Sequence, residues 1–163
     1  RRDVFVDAAD RLFFLSRLGR NLAEVNALLR GFVLMTNHFH IIASCDSEQR
    51  LRRAVGNAKK AQTNWMNDRH QWTGHLWEKR VRSNRVDHYM AAIAYVEENP
   101  VRHRIVKNAL EWPWSSAAFY RLGVPNPLIT PDHRAKFGLP VTAFEQAIHQ
   151  IQADRKAQSK WWV

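Results

Sequence analysis

Phe32-Val33-Leu34-Met35 and His38-Phe39-His40-Ile41-Ile42-Ala43-Ser44 are two short, largely apolar runs separated only by Thr36-Asn37. Each is shorter than an ordinary helix, and two extended runs joined by two turn residues form a hairpin or a tightly connected strand pair. A strand pair cannot bury its apolar face alone, so helices must cover it. Upstream, Asp7 to Arg30 reads as one such helix. Asp7 can cap it, Asp10 lies three residues on, and Leu12, Leu15, Leu22, Val25 and Leu28/Leu29 keep roughly helical spacing. Downstream, Ser47 to Asn67 carries one apolar stripe of Leu51, Ala54/Val55, Ala58, Ala61 and Trp65. The class is therefore α+β.

The remaining elements are shorter. Leu76 to Val86 reads as a strand studded with arginine on both faces, which core packing explains poorly. Asp87 caps a helix running to Asn99, where Pro100 biases its predecessor away from helical geometry. Ile105 to Leu110 reads as a short helical piece and Ala117 to Leu122 as a helix. Gly123 to Pro140 is loop-like, and Pro140 to Lys160 reads as a last helix before Trp161-Trp162. The 163 residues suit about one domain with a core that needs no staples. No apolar run approaches the ~20 residues of a membrane span. The single cysteine, Cys45, excludes an internal disulfide framework and a Cys-rich zinc site, and fits a reducing cytoplasm.

The charge is localised. Of a net +10, the stretch from Arg50 to Lys107 carries +8, with 13 basic residues against 5 acidic ones. A clustered positive field points to a polyanion, most often nucleic acid, although a merely basic solvated surface has the same composition. Arg52, Arg53, Lys59 and Lys60 form pairs seven residues apart and so share one helix face. Seven Trp, three Tyr and eight Phe add surfaces on which bases could stack, most of them core.

Two constellations can carry chemistry. On a strand, His38 and His40 point to one side and Phe39 to the other, so the two imidazoles form a ready bidentate metal site. Two polar histidines on a solvated face would look the same. Tyr95 and Asn99 lie four apart on one helix face, with His88, Ala91 and Ala92 on the same stripe. A tyrosine at a core edge fits that spacing too. With an activating metal, however, its hydroxyl can serve as a covalent nucleophile. Two imidazoles plus the Asn99 side-chain oxygen would leave open positions for a phosphate oxygen, while the central cations hold a backbone. Tyr89 faces elsewhere and Tyr120 suits packing.

Four stretches in order then carry a resemblance: Gly31-Phe32-Val33-Leu34-Met35-Thr36-Asn37-His38-Phe39-His40-Ile41-Ile42, Gly74-His75-Leu76-Trp77-Glu78-Lys79-Arg80, Tyr95-Val96-Glu97-Glu98-Asn99-Pro100-Val101-Arg102, and Trp112-Pro113-Trp114-Ser115-Ser116. Over roughly residues 1–122 the chain resembles the REP-associated tyrosine transposases, within the single-tyrosine HUH transposases. The resemblance implies a ferredoxin-like HUH nuclease core, with an antiparallel sheet and helices on one side, over 1–122. A loop and helical C-terminal tail would follow over 123–163.

It implies cleavage and rejoining of single-stranded DNA beside REP-type hairpins through a 5′-phosphotyrosine on Tyr95. His38, His40 and Asn99 would hold Mg²⁺ or Mn²⁺, the imidazoles suiting Mn²⁺ better. Arg52, Arg53, Lys59, Lys60, Lys79, Arg80, Arg82, Arg85, Arg102 and Arg104 are the candidate DNA contacts. The resemblance also implies a bacterial, cytoplasmic, nucleoid-associated protein with no membrane or small-molecule partner, and it favours a monomer over a dimer. One feature departs from the family: its first strand is missing ahead of Arg1-Arg2-Asp3-Val4-Phe5. The start at Arg1 rather than Met suggests a fragment. Without that strand, a non-cleaving DNA- or RNA-hairpin-binding module of the same descent is the alternative.

Overall fold

A computed structural model describes residues 2–77 and 81–129 of the chain. Lys79 and Arg80, and the tail helix expected over Pro140 to Lys160, lie outside the described residues. The fold is α+β, consistent with a ferredoxin-like core. Helix α1 (Ala8–Glu24) leads into strand β1 (Leu28–Leu34), which pairs with β2 (Phe39–Ser44). Helices α2 (Glu48–His70), α3 (Tyr89–Glu97), α4 (Asn99–Arg102) and α5 (Ala117–Leu122) follow, with one 3-10 turn at Ala109–Glu111. The described chain forms two compact units. One takes in the N-terminal segment, the hairpin turn and α2; the other takes in the strand centres and the described chain from Asn84 to Ile129.

In the first unit, Asp7 caps α1 as expected. Its side chain accepts from the Asp10 amide at 3.2 Å, and Asp10 reaches back to the Asp7 amide at 3.3 Å. The helix ends at Glu24, six residues short of the sequence expectation, because Asn26 enters the left-handed region at φ 53°. The Asn26 amide then bonds Ala23 O and the Ala27 amide bonds Leu22 O, a Schellman closure with asparagine in the usual glycine position. Leu28 and Leu29, counted with the helix on spacing, therefore begin β1 instead.

The turn at Thr36-Asn37 stands, with the Met35 amide bonded to His38 O at 2.9 Å. Phe5, Phe14, Phe39 and Trp77 form a cluster of edge-to-face and tilted rings with centroids 4.7–6.1 Å apart. The Asn21 amide ties α1 to Ala54 O of α2 at 3.0 Å.

The strand expected over Leu76 to Val86 is not formed by its described residues. Its groups are engaged elsewhere. The Trp77 indole donates to Lys59 O at 2.9 Å, Val81 O accepts from Arg52, and the Ser83 hydroxyl donates to Glu48 at 2.5 Å. A segment held by the backbone and side chains of α2 has no need of a ladder, and the two-face alternation read for its arginines falls with the strand.

In the second unit, α3 is closely applied to β1. A Cβ on Gly31 would lie 2.9 Å from Ile93 Cγ1 and 3.0 Å from Cγ2, both on a stiff β-branched side chain. Gly31→Ala should therefore lower stability by about 1–3 kcal/mol. The check is a lower urea midpoint with an unchanged slope, and an unmoved midpoint would show that the two elements have room to part.

The far edge of β1 is closed by side chains and a short bridge. The Phe32 amide donates to Ser116 Oγ at 3.1 Å, and the Ser116 amide donates to Phe32 O at 3.0 Å. Val33 bridges Ser115, and the Tyr120 hydroxyl donates to Arg30 O. Helix α5 forms where expected, but Ile105 to Leu110 contributes only its last two residues to the 3-10 turn.

Candidate active site

The tyrosine segment breaks in a specific way. Helix α3 starts one residue after His88, which makes no side-chain cap, so Asp87 does not cap it as expected. Pro100 does not terminate helical structure either. It sits in the first turn of α4, where a missing N–H is tolerated. The loss falls on α3, whose Val96 carbonyl would otherwise accept from residue 100. Asn99 compensates: its Nδ2 donates to Tyr95 O and to Val96 O, both at 3.1 Å. The Asn-Pro pair is thus a local repair as well as a candidate ligand position. An amide whose NH₂ serves the helix retains its carbonyl oxygen as the donor atom a hard cation would take.

Tyr95 is 6% exposed and Asn99 2% exposed. The guanidinium of Arg102, an exposed residue, lies over the Tyr95 ring at 4.2 Å from its centroid. This cation–π contact follows from spacing, since residues 95 and 102 are two helical turns apart across the α3–α4 junction. The interval of seven is visible in the sequence, where Arg102 is expected on phosphate; its contact with the tyrosine is a feature of the packing. Tyr89 opens α3, and the Tyr120 hydroxyl is engaged by Arg30 O.

Glu97 is the other residue the sequence reading passed over. It is fully buried at the end of α3, where its carboxylate accepts from the Ser116 hydroxyl. Burial pushes its pKa up to about 8, against the downward pull of Ser116 and the Arg121 guanidinium; Glu98 adds to the rise. An acidic residue closing the apolar run Ala92 to Val96 was the signal that could have found it.

The histidines flank Phe39, which anchors in the aromatic cluster of the first unit. His38 immediately precedes β2 and His40 is its second residue, and both are half-buried. His38 Nδ1 lies 2.7 Å from Asn37 Oδ1. Imidazole nitrogen and amide oxygen are both donor types that a divalent cation accepts. Among the described residues no three His, Cys, Asp or Glu side chains form a metal-binding group.

The candidate DNA contacts divide. Arg53, Lys60, Arg82, Arg85, Arg102 and Arg104 are exposed. Arg52 is exposed too, but donates to Val81 O at 3.4 Å and lies 3.9 Å from Glu48. Lys59 departs from the shared face expected on α2. It is half-buried with Nζ 5.0 Å from the Trp77 ring centroid, and burial lowers its pKa. Arg104 takes a left-handed φ of 58°, closing α4 through the Arg104 amide to Val101 O and the Ile105 amide to Pro100 O.

The structure thus places a buried tyrosine under an exposed arginine, with a buried asparagine four residues on. Comparison with family profiles adds to this. Residues 1–99 match the family described as "Transposase IS200 like", a span that includes His38, His40, Tyr95 and Asn99. The chain belongs to the IS200-like transposase family, a family of DNA-recombining enzymes. Comparison with curated proteins and with solved structures gives no match. Among the described residues no helix is long and apolar enough to cross a membrane.

Proposed function

We propose that the chain is a metal-dependent single-stranded DNA endonuclease and strand transferase of the REP-associated tyrosine type, acting beside short hairpins. The observation that carries the reading is the Arg102 guanidinium over the Tyr95 ring, one turn beyond Asn99. That arrangement pairs a nucleophile with a phosphate-binding cation. The exposed Arg102 side chain leaves the ring for the scissile phosphate, which uncovers the phenol. The Tyr95 oxygen then bonds to phosphorus, its proton passing to solvent. The phosphorus–O3′ bond breaks, and the departing O3′ takes up a proton. The product is a 5′-phosphotyrosine and a free 3′-hydroxyl, and rejoining is the reverse displacement with a new 3′-hydroxyl.

His38, His40 and Asn99 would hold Mg²⁺ or Mn²⁺, which when bound polarises the phosphoryl group. Exposed arginines and Lys60 hold the DNA backbone and orient the strand. The protein acts on the bacterial chromosome as a monomer.

The test uses 3′-end-labelled single-stranded hairpin DNA with Mn²⁺, resolved on a denaturing gel. A labelled band at protein size, lost with chelator, is the expected result. Tight binding without a band would favour the non-cleaving hairpin-binding module. The burial of Tyr95 and Asn99 is the observation in favour of that second reading. Arg102→Ala separates roles further. It should reduce the salt slope of DNA binding by about 1 and slow adduct formation at least about tenfold. An unchanged slope in an anisotropy salt titration would remove Arg102 from the phosphate contacts.

A further inference from the structure

Ser116 and Glu97 join three parts of the second unit that lie far apart in sequence. Ser116 is itself fully buried, and its backbone and hydroxyl take both polar groups of Phe32 at the centre of β1. The same hydroxyl donates to Oε1 of Glu97, the last residue of α3. The other carboxylate oxygen faces Arg121 Nε at 3.9 Å, while the Arg121 terminal nitrogen bonds Glu98 at 2.6 Å. A fully buried carboxyl group is an expensive way to fill space, since an apolar side chain of equal volume would serve packing as well or better. What a carboxyl provides and a methyl does not is a directional anchor.

Helix α3 needs one. Close approach of Ile93 to Gly31 sets how deep the helix sits on β1, but an apolar contact has no direction and does not by itself set the helix's rotation. A bond at its C-terminal end, two residues after Tyr95, supplies that direction. From this we infer that Glu97, acting through Ser116, is a positioning residue for Tyr95. It fixes the rotation of the nucleophile's helix against the strand that leads into the histidine pair. The inference rests on Tyr95 being the nucleophile, and extends that reading to a residue that touches neither DNA nor metal.

The experiment compares Glu97→Gln, which retains an acceptor oxygen, with Glu97→Met, which retains volume alone. Single-turnover adduct formation on the labelled hairpin and binding of the same DNA are measured in the full chain. The expected result is a rate within about threefold of wild type for Glu97→Gln. Glu97→Met should be slowed at least tenfold with its dissociation constant unchanged. If Glu97→Met does not fold, Ser116→Ala takes its place, since it removes the hydroxyl from the other side. A folded Glu97→Met that forms adduct at the wild-type rate overturns the inference, as does an equal loss in Glu97→Gln.

If the wild-type chain forms no adduct, the nuclease reading fails, and the pose of Tyr95 is read directly from 3-fluorotyrosine ¹⁹F NMR. The positioning role then requires that the residue-95 resonance be the same in wild type and Glu97→Gln and displaced in Glu97→Met. An undisplaced resonance overturns it.

Discussion

A Tyr95→Phe variant should form no detectable covalent DNA adduct, a loss of at least about a thousandfold, while binding the same hairpin as tightly as wild type. The substitution removes one oxygen from a side chain that is 6% exposed, so the ring keeps its packing and its place beneath Arg102. The substitution leaves every cationic side chain in place, so affinity and its salt dependence should stay constant. Tyr120→Phe is the control. Its hydroxyl serves Arg30 O at the edge of β1, so that variant should lose stability and keep its adduct. If Tyr95→Phe still gives a labelled protein band, another group is the nucleophile. If Tyr95→Phe weakens binding as much as it weakens cleavage, the hydroxyl's role lies in recognition.

The largest effect on stability is expected in the first unit. Asp10→Ala should destabilise by about 3–5 kcal/mol, seen as a lower urea midpoint. Asp10 is fully buried and accepts from the Trp65 indole at 3.0 Å, Arg69 at 2.7 Å and the Val6 amide at 2.9 Å. Removing the carboxylate leaves these donors without their acceptor, and the guanidinium loses the deeper of its two carboxylates. Asp10→Asn, which retains one acceptor oxygen, should lie between the alanine variant and wild type.

The same network sets a pH dependence. Burial raises the Asp10 pKa, but the bonds from Trp65, Arg69, Val6 and Asp7 together outweigh it, so the carboxyl lies below its ordinary value. Asp7, bonded to Arg69 first and to the Asp10 amide second, is depressed further. A depressed folded value means that the contribution is fully present above the unfolded value near 3.8 and is lost as pH falls through the folded ones. Wild type should therefore weaken below about pH 4 more steeply than Asp10→Ala. Parallel acid titrations of the two proteins would show that the network is not the cause.

The hairpin, the α1 cap and α5 were legible because each rests on neighbours in sequence: a turn between apolar runs, an Asp three residues from an Asp, a six-residue helix ended by Gly123. What the sequence did not disclose depended on distant partners. Leu76 to Val86 alternates like a strand, yet Trp77 docks on α2 because its indole finds Lys59 O, a partner eighteen residues away. Asn99 was legible as a polar residue one turn after Tyr95, but not as the group that repairs the α3 carbonyls after Pro100. Lys59 looked like one of four equivalent cations, and only the docked Trp77 makes it different. The site was thus readable as a set of residue types. The Arg102 contact and the Glu97 anchor emerged from the packing.

The closure of β1 also has a consequence in time. Its far edge is satisfied by Ser116, 84 residues from Phe32, and by Tyr120, 90 residues from Arg30. A ribosome delivering this chain releases the hairpin long before it releases those two residues. Until they arrive, the hydrogen-bonding edge of β1 is without its final partners, and such an edge can pair with any other extended chain nearby. The interval between synthesis of the hairpin and synthesis of Tyr120 is therefore the period when the nascent protein is most exposed to misassociation. Slowing translation within that interval should lower the yield of native protein more than slowing it afterwards.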